Sequence, residues 1–167
     1  MKHLILGGAR SGKSRLAEQR AMQTGKSLVY IATAQARDSE MSARIAKHQQ
    51  ARSKAWHCIE TPLYLSRSLA DIDAHDTAIV IDCLTLWISN CMEQNCLNTQ
   101  QTKLLASLGT LKADVFLVSN EVGSGVVPLG QLSRDFVDAS GWLHQSLAEI
   151  CDSVTLVVAG LPLTLKA

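Results

Sequence analysis

Several features that would assign this chain to a common class of protein are scarce or missing. Its 167 residues include three tryptophans, two tyrosines and two phenylalanines, and the formal net charge is +1. Nucleic-acid partners require a field of cations and aromatic stacking platforms, so the composition argues against them. The N-terminal apolar run stops at Leu6, too short for a signal peptide, and no run approaches the length of a membrane span. We therefore expect a cytoplasmic protein.

Cysteine and histidine spacings typical of metal sites are also missing. The five cysteines form no CxxC pair, their number is odd, and no two of the five histidines stand four residues apart. This usage fits free thiols in a reducing compartment and argues against structural zinc. Cys83, within AIVIDCLTLW, is interpreted as a small core residue rather than a nucleophile.

Short apolar runs rich in β-branched residues alternate with helical stretches, which is the pattern of an α/β fold. We expect one domain, residues 1–167, with a mostly parallel sheet, helices on both faces and an antiparallel edge strand. The predicted strands are His3–Leu6, Ser27–Thr33, Ala55–Glu60, Thr77–Asp82, Val115–Asn120, Val154–Ala159 and Leu163–Lys166. The predicted helices are Lys13–Gln23, Glu40–Lys54, Pro62–Asp71, Leu84–Glu93, Gln100–Lys112 and Gly130–Ile150, and the predicted loops include Asn95–Thr99 and Gly123–Gly130.

The segment GGARSGKS matches the phosphate-binding pattern GxxxxGK[ST] between a predicted strand and a predicted helix. Backbone N–H groups of such a loop and the N-terminus of its helix bind phosphate oxygens. Lys13 should reach the β- and γ-phosphates, and the Ser14 hydroxyl should ligate Mg²⁺. The sequence therefore predicts a P-loop NTPase-type fold that binds ATP or GTP. The candidate loop residues are Gly7, Gly8, Ala9, Arg10, Ser11, Gly12, Lys13 and Ser14.

Acidic and amide side chains follow two other predicted strands. Asp82 comes after four apolar strand residues, where a carboxylate needs a metal or cation partner, although it could instead cap the next helix. Asn120 and Glu121 could orient water, metal or substrate, or could stabilise a turn. The carboxyl ends of the strands are thus the predicted site.

A basic helix around one histidine is the most unusual feature of the sequence. Ser39 is a plausible N-cap, and one helical stripe about 100° wide would carry Met41, Arg44, Ile45, His48 and Arg52. The apolar members place this stripe against protein, where nucleotide phosphates could neutralise the cations. A solvated helix paired with acidic neighbours is the alternative. In the first case neutral His48 could attack an α-phosphorus, expel pyrophosphate and leave a nucleotidyl-histidine.

Taken in order, the motifs resemble those of the bifunctional adenosylcobinamide kinase / adenosylcobinamide-phosphate guanylyltransferase family of cobalamin biosynthesis. The resemblance runs through GGARSGKSRLAE, YIATAQ, DSEMSARIAKHQ, W..IETP, VIDCLT, VSNEVGSGVVP and SRDF..ASG to VAG. It implies phosphorylation of adenosylcobinamide with ATP or GTP, then GMP transfer from GTP to give adenosylcobinamide-GDP. It also implies a guanylylated intermediate on His48 and a homotrimer with active sites between subunits.

The resemblance implies further nucleotide contacts, although the sequence also departs from the family pattern. The contacts fall on Ile31, Ala32, Thr33, Gln49, Gln50, Ala51, Arg52, Glu60 and Asp82. We hypothesise that Glu60 accepts hydrogen bonds from the guanine edge while Asp82 serves Mg²⁺. Ser53 replaces a usual proline and His144 a usual asparagine. Trp56, Trp87 and Trp142 could touch the corrin ring, but we expect them to pack in the core.

Two other functions remain open at this point. A simple P-loop kinase of a small metabolite would use Lys13 and Asp82 and leave His48 as a phosphate-binding cation. A nucleotide-controlled switch would need a partner surface, and the sequence shows no guanine-binding NKxD motif.

Overall fold

The computed structural model describes residues 1–35 and 55–167. The predicted helix Glu40–Lys54, with its histidine stripe, lies outside the described residues. In the described part, one seven-stranded sheet has the order β3-β2-β4-β5-β1-β6-β7. The strands are β1 Lys2–Gly7, β2 Ser27–Ala32, β3 Trp56–Glu60, β4 Thr77–Asp82, β5 Asp114–Asn120, β6 Ser153–Val158 and β7 Leu161–Lys166. The first six pair in parallel, and β7 is the antiparallel edge strand that the sequence predicts.

Helices cover both faces of the sheet because the central strands are apolar on both sides. They are α1 Lys13–Gln23, α2 Leu65–Asp71, α3 Leu84–Glu93, α4 Leu97–Leu108 and α5 Gln131–Ile150. On one face, Ala17 and Ala21 of α1 pack in a core cluster with Ile5 and Val80. The other face packs against α2 to α5 in a larger cluster that includes the fully buried Trp87. The alternation of strand residues between two apolar cores confirms the predicted α/β class.

The order of the strands brings the predicted site residues to one edge of the sheet. Strand β5 lies between β1 and β4, so Asn120 pairs with Gly7 and Val118 pairs with Asp82. On the far side of β4, Ala32 lies opposite both Asp82 and Glu60 in its two neighbouring strands. The carboxyl ends of β1, β2, β3, β4 and β5 therefore meet at one edge, where open parallel sheets bind ligands.

Three boundaries, in two of the predicted helices, differ from the prediction by three or four residues. The helix expected at Gln100–Lys112 runs from Leu97 to Leu108, with Gly109 at its C-cap, and the N–H groups of residues 110 and 111 turn back to the Ser107 carbonyl. Consequently the expected loop Asn95–Thr99 is mostly helical. The helix expected from Pro62 begins at Leu65, since side chains of α3 hold the carbonyls of Pro62 and Leu63 in a non-helical loop.

The three tryptophans occupy different environments. Trp87 is fully buried and half-buried Trp56 packs edge-on against Tyr30, but Trp142 is 70% exposed, so its predicted core position is wrong. It precedes the buried Leu143 of α5 by one residue, which turns it about 100° away from the core.

All five cysteines are free thiols, as expected. Within residues 1–35 and 55–167, no helix combines the length and apolar character required to cross a membrane.

Candidate nucleotide site

The loop between β1 and α1 has the backbone that its glycines predict. Gly12 adopts φ 99° at the N-cap of α1, a left-handed conformation that favours glycine. At Gly7 a Cβ atom would lie 2.5 Å from both the Ser11 Oγ and the Val157 carbonyl oxygen. The Gly160 N–H donates to the Ser11 carbonyl over 2.8 Å, which anchors the loop to the turn after β6. The loop therefore depends on glycine twice, once for its torsion and once for its close packing.

Lys13 is folded back over this loop. Its Nζ donates to the Gly8 carbonyl over 2.8 Å, and the residue is only 7% exposed. Burial lowers the pKa of the Lys13 ammonium, although the Asp82 carboxylate opposes that shift. Nearby, the Ser11 Oγ is buried and makes no hydrogen bond. A buried cation held by one neutral carbonyl, beside an unpaired hydroxyl, suits a site that receives an anion.

Asp82 ends β4 and lies close enough to Lys13 to influence its charge. One of its carboxylate oxygens accepts from the Tyr30 hydroxyl over 2.8 Å. Cys83, rather than Asp82, occupies the N-cap position of α3. Burial raises the pKa of the Cys83 thiol, which agrees with its interpretation as a packed thiol rather than a nucleophile. The helix-capping alternative for Asp82 is therefore not the observed arrangement.

The donor chemistry at this edge fits magnesium. Ser14, half-buried in the first turn of α1, supplies a hydroxyl, and Asp82 supplies a carboxylate, so both donors are oxygen atoms. Mg²⁺ prefers oxygen donors and usually takes one or two protein ligands together with waters and substrate phosphates. No group of three or more His, Cys, Asp or Glu side chains suited to a metal occurs in the described part of the chain. The residues present thus fit a nucleotide-associated Mg²⁺ rather than a site built from protein ligands alone.

The end of β2 is tied closely to the end of β4. The Thr33 hydroxyl donates to the Cys83 carbonyl over 2.6 Å and accepts from the Cys83 N–H over 2.9 Å. Thr33 is fully buried, and Ile31 packs in the larger core cluster. Half-buried Ala32, between them, packs against the smaller core cluster on the other face of the sheet.

Glu60 lies at the end of the edge strand β3 with an exposed side chain. The next residue, Thr61, donates its N–H to the Ala32 carbonyl over 2.8 Å, and its hydroxyl bonds the Ser68 hydroxyl over 2.8 Å. Glu60 is therefore the last residue of a strand that leads into an ordered loop, at the same edge as Asp82 but beyond β2. Its exposure leaves the carboxylate available to a ligand.

A polar chain continues from the end of β5 into α5. The Thr85 hydroxyl accepts from the Asn120 N–H over 2.7 Å, and the Ser119 hydroxyl bonds the His144 Nε2 over 2.8 Å. The Glu121 carboxylate accepts from the Gly123 N–H over 2.7 Å, and its pKa is lowered chiefly by the Ser124 hydroxyl. Burial lowers the pKa of the His144 imidazole. The turn that the sequence analysis left open for Glu121 is present here.

Five predicted site residues lie outside the described residues. They are His48, Gln49, Gln50, Ala51 and Arg52. The loop residues, Asp82 and Glu60 are gathered at one edge as expected. Sequence reasoning missed Tyr30, Thr85 and Asn90, whose side chains hold this edge together. The signal for Asn90 was an amide within the otherwise apolar stretch LTLWISNCM.

The fold and the loop define a protein of the P-loop NTPase-type α/β fold. A solved structure, that of the RadB recombinase, has a TM-score of 0.50 at 16% identity, and the match covers 93% of this chain and 73% of the recombinase chain. The family model for cobinamide kinase / cobinamide phosphate guanyltransferase (CobU) matches residues 3–165. The chain therefore belongs to this family of transferases, which confirms the resemblance predicted from the sequence.

Two curated relatives match almost end to end. The bifunctional adenosylcobalamin biosynthesis protein CobP of Pseudomonas aeruginosa is 52% identical over 169 residues, 99% of this chain and 98% of the relative. The bifunctional adenosylcobalamin biosynthesis protein CobU of Escherichia coli K12 is 36% identical over 184 residues, 99% of this chain and 100% of the relative. Matches of this length compare the whole of each sequence rather than the phosphate loop alone.

Proposed function

We propose that this chain phosphorylates adenosylcobinamide with ATP or GTP and then transfers GMP from GTP to the phosphorylated product. The family match over residues 3–165 carries the proposal. The loop supports it, since Lys13 is held at the phosphate-binding nest by a carbonyl that phosphate oxygens can replace. The product would be adenosylcobinamide-GDP, an intermediate of cobalamin biosynthesis.

In the kinase step the substrate hydroxyl attacks the γ-phosphorus, and the nucleoside diphosphate leaves. Lys13 would exchange the Gly8 carbonyl for β- and γ-phosphate oxygens, which stabilises the charge of the transition state. Ser14 and Asp82 would hold Mg²⁺, which neutralises phosphate charge when bound. The close packing at Gly7 and the Gly160–Ser11 bond would keep the loop backbone in place while Lys13 makes this exchange.

In the second step we propose that His48 is the nucleophile. Its neutral imidazole would attack the α-phosphorus of GTP, pyrophosphate would leave, and a guanylyl-histidine would form. The phosphate oxygen of adenosylcobinamide phosphate would then take the GMP group and release His48. Arg44 and Arg52, on the same predicted stripe, would neutralise the α-phosphate.

We further propose that Glu60 selects guanine and that the enzyme is a cytoplasmic homotrimer. The exposed carboxylate of Glu60 could accept from guanine N1–H and N2–H₂, whereas adenine offers no matching pair of donors. Edge strand β7 exposes Leu161, Leu163 and Leu165, an apolar row that supports a contact between subunits. Neither nucleic acid nor a membrane is a proposed partner.

Incubation with adenosylcobinamide, GTP and Mg²⁺, followed by mass analysis, tests the proposal. We expect adenosylcobinamide phosphate first and adenosylcobinamide-GDP second. Accumulation of the phosphate alone would support the simple kinase instead. Slow GTP hydrolysis with unchanged corrinoid would support the nucleotide switch.

A further inference from the structure

Asn120 ends the strand that lies between the phosphate loop and the candidate magnesium ligand. Strand β5 pairs with β1 on one side, where Asn120 lies opposite Gly7, the first residue of the loop. On its other side β5 pairs with β4, where Val118 lies opposite Asp82. Asn120 is therefore at the carboxyl edge of the sheet, between the loop and Asp82.

The alternation of side chains along β5 places Asn120 on the face of the sheet that α1 covers. Val118, two residues earlier, belongs to the core cluster of α1, whereas Ser119 faces the other way and bonds a side chain of α5. The same alternation along β4 puts Asp82 on the α1 face, two residues after a strand member of that cluster. Helix α1 begins with Lys13. An amide, a carboxylate and an ammonium thus share one face at one edge.

The backbone around Asn120 is anchored, but its side-chain amide is free. The Asn120 N–H donates to the Thr85 hydroxyl over 2.7 Å, and the N–H of the next residue, Glu121, donates to the Gly7 carbonyl over 3.0 Å. Asn120 is half-buried, yet its amide makes no hydrogen bond elsewhere in the described part of the chain. The turn is stabilised by Glu121, whose carboxylate accepts from the Gly123 N–H. Unused donors on an anchored backbone suit a ligand.

We infer that Asn120 is a catalytic residue of the kinase step, and that its Nδ2 donates a hydrogen bond to an oxygen of the transferring γ-phosphoryl group. This inference rests on the function proposed above. In that step the substrate hydroxyl oxygen bonds the γ-phosphorus while the bond to the β–γ bridging oxygen breaks. The bridging oxygen keeps the electron pair, and the hydroxyl proton passes to solvent. A fixed amide donor stabilises the charge on the phosphoryl oxygens throughout this exchange.

The position of Asn120 favours the γ-phosphate over the rest of the nucleotide. The backbone N–H groups of the loop and the N-terminus of α1 would hold the β-phosphate. Lys13 and a Mg²⁺ held by Ser14 and Asp82 would both contact the β- and γ-phosphates. A donor between the loop and Asp82 is therefore placed for the terminal phosphate. Asn120 should distinguish a nucleoside triphosphate from a diphosphate.

Asn120→Ala and Asn120→Asp remove the donor in different ways. With adenosylcobinamide and saturating MgATP, we expect Asn120→Ala to lower kcat at least about 10-fold. Asn120→Asp keeps the size of the side chain but turns a carboxylate toward the phosphoryl oxygens, so its kcat should fall at least as far. In binding measurements on Asn120→Ala, affinity for the β,γ-imido analogue of ATP with Mg²⁺ should fall at least about threefold, while affinity for ADP stays within about twofold.

Ser119→Ala is the matched control, because it truncates the preceding residue of β5 on the opposite face and removes a hydrogen bond to His144. We expect a lower melting temperature, a kcat within about threefold of wild type and an unchanged ratio of the two affinities. Circular dichroism and thermal melting verify the fold of each variant. An equal loss of kcat in Ser119→Ala would assign the effect to the strand end and overturn the role of Asn120.

The binding measurement needs no corrinoid, so it separates this inference from the proposed function. A kcat of Asn120→Ala within about threefold of wild type would contradict the catalytic role, as would equal weakening of both nucleotides. If wild-type protein left adenosylcobinamide unphosphorylated, the proposed function would be contradicted, whereas selective weakening of the imido analogue would still support the γ-phosphate contact. Loss of kcat together with that selective weakening supports both.

Discussion

The two edges of the sheet differ in how the charges of their side chains are paired. At the amino ends of the strands, Asp114 pairs with the Met1 ammonium over 2.6 Å and with Lys26 over 2.7 Å. His3, in the same region, bonds the Thr155 hydroxyl over 2.9 Å and contacts the Arg20 guanidinium. At the carboxyl ends, Lys13 has one backbone carbonyl as its hydrogen-bond acceptor. The amino edge neutralises its carboxylate with direct ion pairs, whereas Lys13 makes no ion pair within residues 1–35 and 55–167, although Asp82 lies near it.

This difference separates structural charges from functional ones. A buried or half-buried charge that is already paired contributes to folding, and its removal leaves the partner unsatisfied. A cation held by a neutral group has more to gain from an incoming anion. We therefore expect substitutions at the carboxyl edge to alter catalysis and those at the amino edge to alter stability.

Lys13→Ala should have the largest effect. Loss of the ammonium from the transferring phosphoryl group should lower the kinase rate at saturating nucleotide by at least about 10²-fold. Lys26→Ala is the control at the amino edge, since it removes a lysine paired with Asp114 and should leave the kinase rate nearly unchanged. A Lys13→Ala enzyme with the wild-type rate would show that the kinase site lies elsewhere.

Glu60→Gln should change nucleotide preference. An amide replaces one of two acceptors with a donor, so discrimination of GTP against ATP or ITP should shrink by about 1–3 kcal/mol. The measurement is the ratio of kcat/KM values in the guanylylation step. Glu149→Gln, which alters an exposed carboxylate near the end of α5, should leave the ratio unchanged. If Glu60→Gln also leaves it unchanged, Glu60 does not read guanine.

His3 should give the amino edge a pH-dependent stability. Burial, assisted by the Arg20 guanidinium, lowers the pKa of His3 from 6.5 to about 4. Between these values the unfolded chain binds a proton that the folded chain does not, so the free energy of unfolding falls as pH falls. From pH 7 to 4.5 we expect His3 to account for a loss on the order of 2 kcal/mol.

Denaturant unfolding of His3→Gln and of wild type at both pH values checks this expectation. The His3→Gln protein should lose less stability on acidification, whereas His75→Gln, which changes an exposed histidine, should retain the wild-type slope. Equal slopes in all three proteins would remove His3 from the account of the amino edge.

An element of the fold could be predicted where neighbouring residues in the sequence determine it, and not where distant contacts do. Strands such as Thr77–Asp82 match the prediction because each is an apolar run ended by a polar residue. The start of α2 was wrong because Pro62 and Leu63 bond side chains of α3, more than twenty residues away. The end of α4 was wrong even though Gly109 offered a local signal for termination.

The candidate site also has one part that the local sequence predicts and one part that depends on distant contacts. The phosphate loop was predictable because glycine torsions and the following helix are encoded within eight consecutive residues. The side chains that support the loop ends were not, because the Tyr30–Asp82 and Asn90–Thr33 bonds depend on strand order and helix packing. The function of the histidine stripe was inferred from residue types together with the family resemblance, and it stays a prediction.

The most direct test of the account uses GTP labelled at the α-phosphate. We predict that wild-type protein retains label through His48 and that His48→Ala does not, while the kinase activity of the variant largely persists because its chemistry needs no protein nucleophile. A phosphoramidate on histidine should lose label in acid and keep it in mild base. Labelling of His48→Ala at wild-type stoichiometry, or acid-stable label on the wild-type protein, would contradict the guanylyl-histidine.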